Sequence, residues 1–460
     1  MPASRHDYGG TMSEKSIPQS CDTMVATPKA TQHGETIFAK NSDRPWDECQ
    51  PLDVHHRKSY AEGEKTGTQF VQLPQVETTW RHVGSRPWWC WGYEHGFNEH
   101  QVVIGNEAVP SKFEMSPDPK LIGMELLRLG LERGKTAREA VDVMTGLISE
   151  YGQGKFENDA GVRTYDNSYI VADPTEAYVI ETAGHEWVVK RVDGALGISN
   201  VYSVETDYDS VSDSAEARAR EKGWWSSEGA FNFSEAFTNT PRNEGSGAMR
   251  RKRSCAVLGS GAGRIGVDTM MSVLSDHSDA SEPNEPFQTG INPGSGICVH
   301  FKQDDEGKVT SGNTAASLVA DLCADESRLP IYWCSFYSPC LSLFYPVFIE
   351  AELPSVLAKG GEHAEDDPDS PWWKFHRLNV IAREGGADAV TLVRRRWQGL
   401  QEEMMSTAYD VAVEGKRLID AGEHERAERM LTLYVNENVG IMLDTVVELT
   451  EMVGDGVAAD

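Results

Sequence analysis

Ser20-Cys21-Asp22-Thr23-Met24-Val25-Ala26 and, after a polar turn holding Pro28 and Gly34, Thr36-Ile37-Phe38-Ala39-Lys40-Asn41-Ser42-Asp43-Arg44-Pro45 decide how this chain is read. Both are short, largely apolar runs of strand length, and the turn between them folds the second back beside the first. That pairing sets Cys21 at the open end of the first strand, near the polar end of the second. If residues 1–20 are removed, Cys21 carries a thiol and a free α-amine, a nucleophile and a base on one residue. An α-amine has an ordinary pKa of about 7.7–8.0 and can take the thiol proton near neutral pH, so no catalytic histidine is required. A lone strand cysteine is also a common apolar filler, so the surrounding sequence has to decide.

Several further blocks supply that context. They are Ser85-Arg86-Pro87-Trp88-Trp89, Gly96-Phe97-Asn98-Glu99-His100, and Ile104-Gly105-Asn106-Glu107-Ala108. Met124-Glu125-Leu126-Leu127-Arg128-Leu129-Gly130-Leu131-Glu132-Arg133-Gly134 and Tyr151-Gly152-Gln153-Gly154 follow, then Gly223-Trp224-Trp225 and Phe231-Asn232-Phe233-Ser234-Glu235. With the block from Cys21 to Pro45 they resemble the secernins and related cysteine dipeptidases, which are N-terminal-nucleophile hydrolases. The resemblance runs over residues 21–235 and then thins. It implies a four-layer αββα sandwich of stacked antiparallel sheets, where pattern alone supports only α+β. It also implies a self-processing cysteine dipeptidase or amidase that cleaves amide bonds through an acyl-enzyme on Cys21. The alternative within the resemblance is a non-catalytic, secernin-like binding or regulatory protein on the same scaffold.

Asp43 lies 22 residues beyond Cys21. An anion there would orient the new α-ammonium or steer the thiol, and an aspartate before Arg44-Pro45 also suits an Asx turn. The related bile-salt hydrolases and penicillin V acylases carry a basic residue, two residues and an aspartate at this point. Here Lys40-Asn41-Ser42-Asp43 keeps the aspartate and replaces their arginine, a bidentate fork, with lysine, a point charge. Lys40 is therefore a candidate substrate-binding residue of altered chemistry. Asn98 matches the asparagine that lines the oxyanion hole of those relatives, where one donor is worth about 3 kcal/mol in the transition state. A turn asparagine closing a hairpin is the other reading. Asn200, in Gly197-Ile198-Ser199-Asn200, matches a second polar position. The resemblance thus names Cys21, Asp43, Asn98 and Asn200 as catalytic. Arg253, in Arg250-Arg251-Lys252-Arg253, corresponds to a substrate-binding arginine of the family, or belongs to a solvated charge run. Trp88 and Trp89, with Trp91 and Tyr93, would wall an acyl pocket or fill the core, the commoner fate of tryptophan. His95 and His100 read as structural.

The chain has 460 residues and a formal net charge of −29 at pH 7. Phosphate binding needs a basic footprint, so nucleic acid is an unsuitable partner; such charge serves solubility. No apolar run approaches the roughly 18 residues that span a membrane. Residues 1–20 hold Arg5, His6, Asp7 and Gly9-Gly10 and no secretory apolar stretch, and read as a leader to be removed. A cytoplasmic protein acting on a small peptide or amide follows, away from membranes, with a homo-oligomer left open. Eight irregularly spaced cysteines without a Cys-x-x-Cys pair make neither a disulfide scaffold nor the usual structural zinc site. Asp304-Asp305 and Asp366-Asp367 read as solvated loops rather than metal sites, and no cofactor or metal is expected.

Along the chain, residues 21–110 read as short strands, then helices over Lys120–Arg133 and Thr136–Tyr151, the second with a Thr136/Glu139 capping box. Tyr169–Ala172, Ala177–Thr182 and Glu186–Val192 read as strands. Residues 203–255 read as polar and irregular with a short helix near Ser214–Lys222, residues 276–296 as a surface loop, and 313–350 as strands. The nucleotide-like Gly261-Ala262-Gly263-Arg264-Ile265-Gly266 follows a short apolar run at Ala256–Leu258 read as a strand, with no alternating β/α series around it, so it reads as a plain glycine-rich loop. Three regions are expected: the leader 1–20, a hydrolase domain 21–368, and a helical C-terminal region 369–460.

Overall fold

The computed structural model describes residues 20–159, 161–240, 244–277, 296–304, 306, 308–362 and 366–457. The expected surface loop falls largely at 278–295, outside the described residues, and so does most of the leader. Two antiparallel sheets organise the chain. Their strands are β1 (Cys21–Ala26), β2 (Thr36–Arg44), β3 (Leu52–His55), β4 (His82–Ser85), β5 (His95–Asn98), β6 (Val103–Val109), β7 (Asp166–Ala172), β8 (Ala177–Ala183), β9 (Glu186–Arg191), β10 (Ala195–Ile198), β11 (Ser210–Val211), β12 (Asn313–Leu322), β13 (Ile331–Phe336) and β14 (Tyr345–Val347). The first sheet runs β10-β1-β2-β12-β13-β14 and the second β11-β9-β8-β7-β6-β5-β4-β3.

The helices are α1 (Gly123–Arg133), α2 (Ala137–Tyr151), α3 (Ala215–Glu221), α4 (Phe233–Phe237), α5 (Gly245–Ser260), α6 (Val267–Leu274), α7 (Pro371–Glu384), α8 (Gly386–Asp420) and α9 (His424–Val457). Local signals explain several ends. Thr136 Oγ1 accepts the Glu139 N–H at the start of α2, and Ser370 caps α7 ahead of Pro371 at its first turn. Among the described residues no helix is long and apolar enough to cross a membrane.

The sheets lie face to face. Phe97 of β5 stacks on Tyr332 of β13 with ring centroids 3.6 Å apart, and Lys40 of β2 reaches across to the carbonyl of Asn106 on β6. Gly105 permits that crossing, because a Cβ there would stand 2.5 Å from Lys40 Cδ. On the far side of the second sheet α1 and α2 bury Leu126, Leu127, Val141 and Met144 against Tyr169, Val171 and Ile180. On the far side of the first sheet lie α5 to α9. Asn41 of β2 donates to the Leu274 carbonyl ending α6, and Trp372 of α7 donates to Ala315 of β12. The αββα sandwich that the resemblance implied is the architecture present. Covered on both faces, β1, β2, β12 and β13 are buried throughout, including the polar end of β2 at Lys40–Arg44.

One stretch departs from expectation. The end of the segment 203–255 read as irregular, together with the run Ala256–Leu258 read as a strand, forms the single helix α5 over Gly245–Ser260. Its buried face is Arg250, Ser254 and Leu258, one turn apart each time. A buried stripe made mostly of polar side chains carries no hydrophobic period, so the helix leaves no amphipathic trace.

Candidate active site

The β1–β2 register sets Cys21 opposite Ser42, so Asp43 stands just past the nucleophile. β12 pairs with β2 through a shift between Thr314 and Ala316, a bulge that re-aims the chain. Beside it, Thr314 Oγ1 donates to Asp43 Oδ1 at 2.6 Å. The Asp43 backbone N–H donates to Cys21 Sγ at 3.3 Å, and Asp43 Oδ2 is buried with no partner among the described residues. Burial, then the negative charge of Asp22, pushes the Asp43 carboxyl well above the usual range, with Arg250 opposing.

Asn200, two residues past β10, closes the other side. Its Oδ1 accepts from the Cys21 backbone nitrogen at 2.8 Å and from Arg250 Nη2 at 2.6 Å. Its Nδ2 donates to the Ala108 carbonyl at 2.8 Å. Those neighbours are two donors and one acceptor, so the amide has one orientation. Asn200 therefore holds the nitrogen of the nucleophile residue with its oxygen, while one N–H of its Nδ2 is taken by Ala108. Arg250 also donates to Asp22 Oδ2 at 2.7 Å and to Ser199 Oγ at 3.0 Å. Burial raises the Cys21 thiol pKa strongly; the Lys40 charge opposes this, while Glu94, Asp43 and Glu107 add to it. With Ser20 attached, Cys21 is a buried residue, only 4% exposed.

Asn98 is a correction. Its Nδ2 donates to the carbonyls of Leu131 and Gly134 at 2.9 and 2.8 Å, and its Oδ1 accepts from the N–H groups of His100 and Val102 at 2.9 and 3.0 Å. Every donor and acceptor of the amide is in use, tying the β5–β6 turn to the connection between α1 and α2. No capacity remains for an oxyanion.

Lys40 is a second correction, because its buried ammonium is taken up by protein partners. Its Nζ lies 3.5 Å from Glu107 Oε1 and donates to the carbonyl of Asn106 at 2.6 Å. Burial pushes Glu107 up to about 7 against the pull of Lys40, and Glu107 also accepts from Thr23 on β1. Lys40 acts on the thiol through its charge. Arg253 is a third: it forms a two-pronged pair with Asp276, with Nη2 at 2.6 Å and Nε at 3.1 Å from Oδ2. Arg250, one turn earlier, is the arginine at the thiol. The tryptophans divide. Partly exposed Trp89 carries the Arg44 guanidinium 6.0 Å over its ring, one residue past Asp43, and Trp88 is fixed by its N–H to the Cys49 carbonyl. Trp91 lies under Arg128 at 4.0 Å, with Tyr93 buried beside it. His95 is buried with its pKa driven well down by burial and then by Lys40.

Sequence reasoning missed Arg250, Asp22, Ser199 and the Lys40–Glu107 pair. The adjacency of Asp22 to Cys21 was the one local signal. It also excluded structural metal for want of Cys-x-x-Cys, yet the fold gathers His277, Cys298, His300 and Cys340, with ligand atoms within 4.8 Å of one another.

A family model described as peptidase family C69 matches residues 20–245, from just before β1 to the start of α5. Solved structures similar to this chain include a mutant conjugated bile acid hydrolase from Clostridium perfringens, at 12% identity, covering 69% of this chain and 89% of that one, with a TM-score of 0.38. Penicillin V acylase from Agrobacterium tumefaciens is 14% identical over 74% of this chain and 88% of that one, with a TM-score of 0.40. The Caenorhabditis elegans ortholog of N-acylethanolamine-hydrolyzing acid amidase is 14% identical over 65% and 92%, with a TM-score of 0.33.

Proposed function

We propose, for a chain whose residues 20–245 match the model of peptidase family C69, that it is a cysteine amidohydrolase of the N-terminal-nucleophile type, acting foremost on dipeptides and made active by scission before Cys21. The carrying observation is the joint hold on one residue: Asp43 N–H on the sulfur of Cys21 and Asn200 Oδ1 on its nitrogen.

In the state with Ser20 attached, that nitrogen is an amide and supplies no base. Attack of the sulfur on the Ser20 carbonyl forms a C–S bond, breaks the C–N bond and moves the thiol proton to the departing nitrogen. Water then hydrolyses the thioester, restores the thiol and leaves Cys21 with a free amine. An ammonium offers three donors where the amide offered one, and the buried, unpartnered Asp43 Oδ2 and Asp22 Oδ1 in the same site supply acceptors. In turnover the amine takes the thiol proton, the sulfur attacks the substrate amide, and the ammonium protonates the leaving nitrogen. The amine then activates water for deacylation. The partner this reading requires is a small peptide or amide, met in the cytoplasm.

The second reading, a non-catalytic binding protein on the same scaffold, draws on the burial of Cys21 under an intact Ser20–Cys21 bond. Intact mass and N-terminal sequencing of wild type and Cys21→Ala separate the two. The enzyme reading expects wild type to begin at Cys21, the variant to keep its leader, and the processed protein to cleave dipeptides. A wild type that retains Ser20 and hydrolyses no dipeptide or simple amide would establish the binding reading instead.

A further inference from the structure

Away from the thiol, four side chains that the mechanism leaves unused meet at one point. His277 follows α6, Cys298 and His300 lie on the segment entering β12, and Cys340 sits in the short turn Pro339–Leu341 after β13. Cys298 and His300 are buried, and His277 and Cys340 are half-buried. His300 Nε2 lies 3.1 Å from His277 Nε2 and 3.4 Å from each of Cys298 Sγ and Cys340 Sγ.

An imidazole nitrogen carries one proton or one lone pair, directed in the ring plane, and can serve one hydrogen bond there. Three close neighbours around a single Nε2 exceed that capacity, whereas a shared cation accounts for all of them. Zinc bonded at about 2.3 Å to sulfur and about 2.0–2.1 Å to nitrogen in a tetrahedron spaces its ligand atoms by roughly 3.3–3.8 Å. The three separations from His300 Nε2 lie close to that range, and all four ligand atoms fall within 4.8 Å of one another. His300 Nδ1 is 3.3 Å from Ser338 Oγ. A proton donated there leaves the lone pair on Nε2, the outer-shell arrangement expected of a metal-binding histidine.

We propose that His277, Cys298, His300 and Cys340 bind a structural zinc ion. Two thiolates and two neutral imidazoles balance the dication, and four protein ligands leave no open position for catalysis. The site braces the nucleophile from a distance. Val299, between two ligands, donates to Thr314 Oγ1 at 2.9 Å and accepts the Thr314 N–H at 2.9 Å. Thr314 in turn holds Asp43. Metal would therefore fix the strap on which the Asp43 carboxylate rests.

Elemental analysis of the full-length protein, purified under reducing conditions, tests this without reference to hydrolysis. One zinc per chain is expected, or its uptake on adding zinc alone. Cys298→Ser, Cys340→Ser and the half-buried His277→Ala should each drop zinc content to about a tenth or less, with His277→Cys restoring it. Cobalt added to metal-stripped wild type should show the visible bands of a tetrahedral site and sulfur-to-cobalt charge transfer. Circular dichroism of His277→Ala confirms that a loss of metal is not a loss of fold. A reduced wild type that takes up neither metal would overturn the site, as would zinc content unchanged in a folded His277→Ala, or a Cys298–Cys340 disulfide in freshly isolated protein.

Discussion

Asn98 and Asn200 are the same side chain put to opposite uses, and substitution should separate them. Asn98→Leu removes four hydrogen bonds to buried backbone groups and leaves those groups unpaired. At about 1 kcal/mol per bond plus desolvation, a loss of roughly 3 kcal/mol or more in urea unfolding is expected, with turnover per folded molecule unchanged. A folded Asn98→Leu protein with a collapsed kcat would restore the oxyanion role. Asn200→Leu should do the reverse: modest loss of stability and a fall of about a hundredfold in kcat/KM from a misplaced amine. Its Oδ1 accepts from the nucleophile's nitrogen and so favours the charged ammonium. Without it the amine pKa falls, and the acidic limb of the pH–rate profile should move to lower pH. The sequence pointed to Cys21, Asp43 and Asn200 through their places at or just beyond strand ends, and the strand pairing brings these three together. The role of Asn98 was not legible, because a glycine-flanked asparagine looks the same in sequence whether it closes a turn or lines a site. Only its four partners, reached across more than thirty residues for two of them, distinguish the cases.

At the scale of the element, α5 delivers one buried cation to the nucleophile and pairs another, Arg253, with Asp276 at a partly exposed position. Arg250 is paired with Asp22 and bonded to Asn200 and Ser199. Arg250→Met keeps the length and strips the charge, leaving Asp22 and Asp43 buried without compensation. A loss of about 3–5 kcal/mol is expected, shrinking as the pH is lowered and the carboxyls protonate. Arg253→Met, a partly exposed pair with Asp276, should cost less than about 1 kcal/mol. Equal losses from the two would refute the assignment of Arg250 to the site. The helix was invisible in the sequence because its inward face is polar, and it approaches β10 closely over Gly197, where a Cβ would meet Ser254 Oγ at 2.3 Å. The first residue of β7 gives a pH test. Burial pushes Asp166 up to about 6 from an ordinary 3.8, against hydrogen bonds from Ser111 and the Gly184 N–H. The folded state thus holds a proton that the unfolded state has lost between those values, and this group's contribution falls as pH rises through that window. Above it the cost is on the order of 3 kcal/mol. Asp166→Asn should therefore gain on wild type from pH 4 to 6 and hold a constant difference beyond, by urea unfolding at each pH.

At the scale of the molecule, the question is whether the C-terminal helices are an appendage or a layer. Strands and the first two helices could be read locally from period and caps. The pairing that closes the first sheet could not: β2 meets β12 some 270 residues away, with Ser317 Oγ on Asn41 Oδ1, and nothing in a single sequence marks that contact. The same holds for the outer helices. The sequence suggested a boundary at residue 368, but one continuous apolar core runs from Met24 to Val453 and takes in Trp372, Phe375, Val393, Trp397, Met404, Leu431 and Val435. Their polar atoms also engage the sheet side: Trp372 Nε1 donates to Ala315, Trp397 Nε1 to Leu341, and Tyr409 OH to Asp321. Each large apolar side chain is worth about 1.5–3 kcal/mol of burial, and a whole protein is stable by only about 5–15 kcal/mol. Removing seven of them exceeds that margin and uncovers one face of β12, β13 and β14. A protein ending at residue 368 is expected to be insoluble, or soluble without a cooperative thermal transition, and unable to process itself, because β12 carries the Thr314 that holds Asp43. A truncated protein that melts cooperatively and still loses its leader would make the helices a separate module. The milder Trp372→Ala should cost about 3–5 kcal/mol by the same argument, which lets the layer be probed in a chain that still folds.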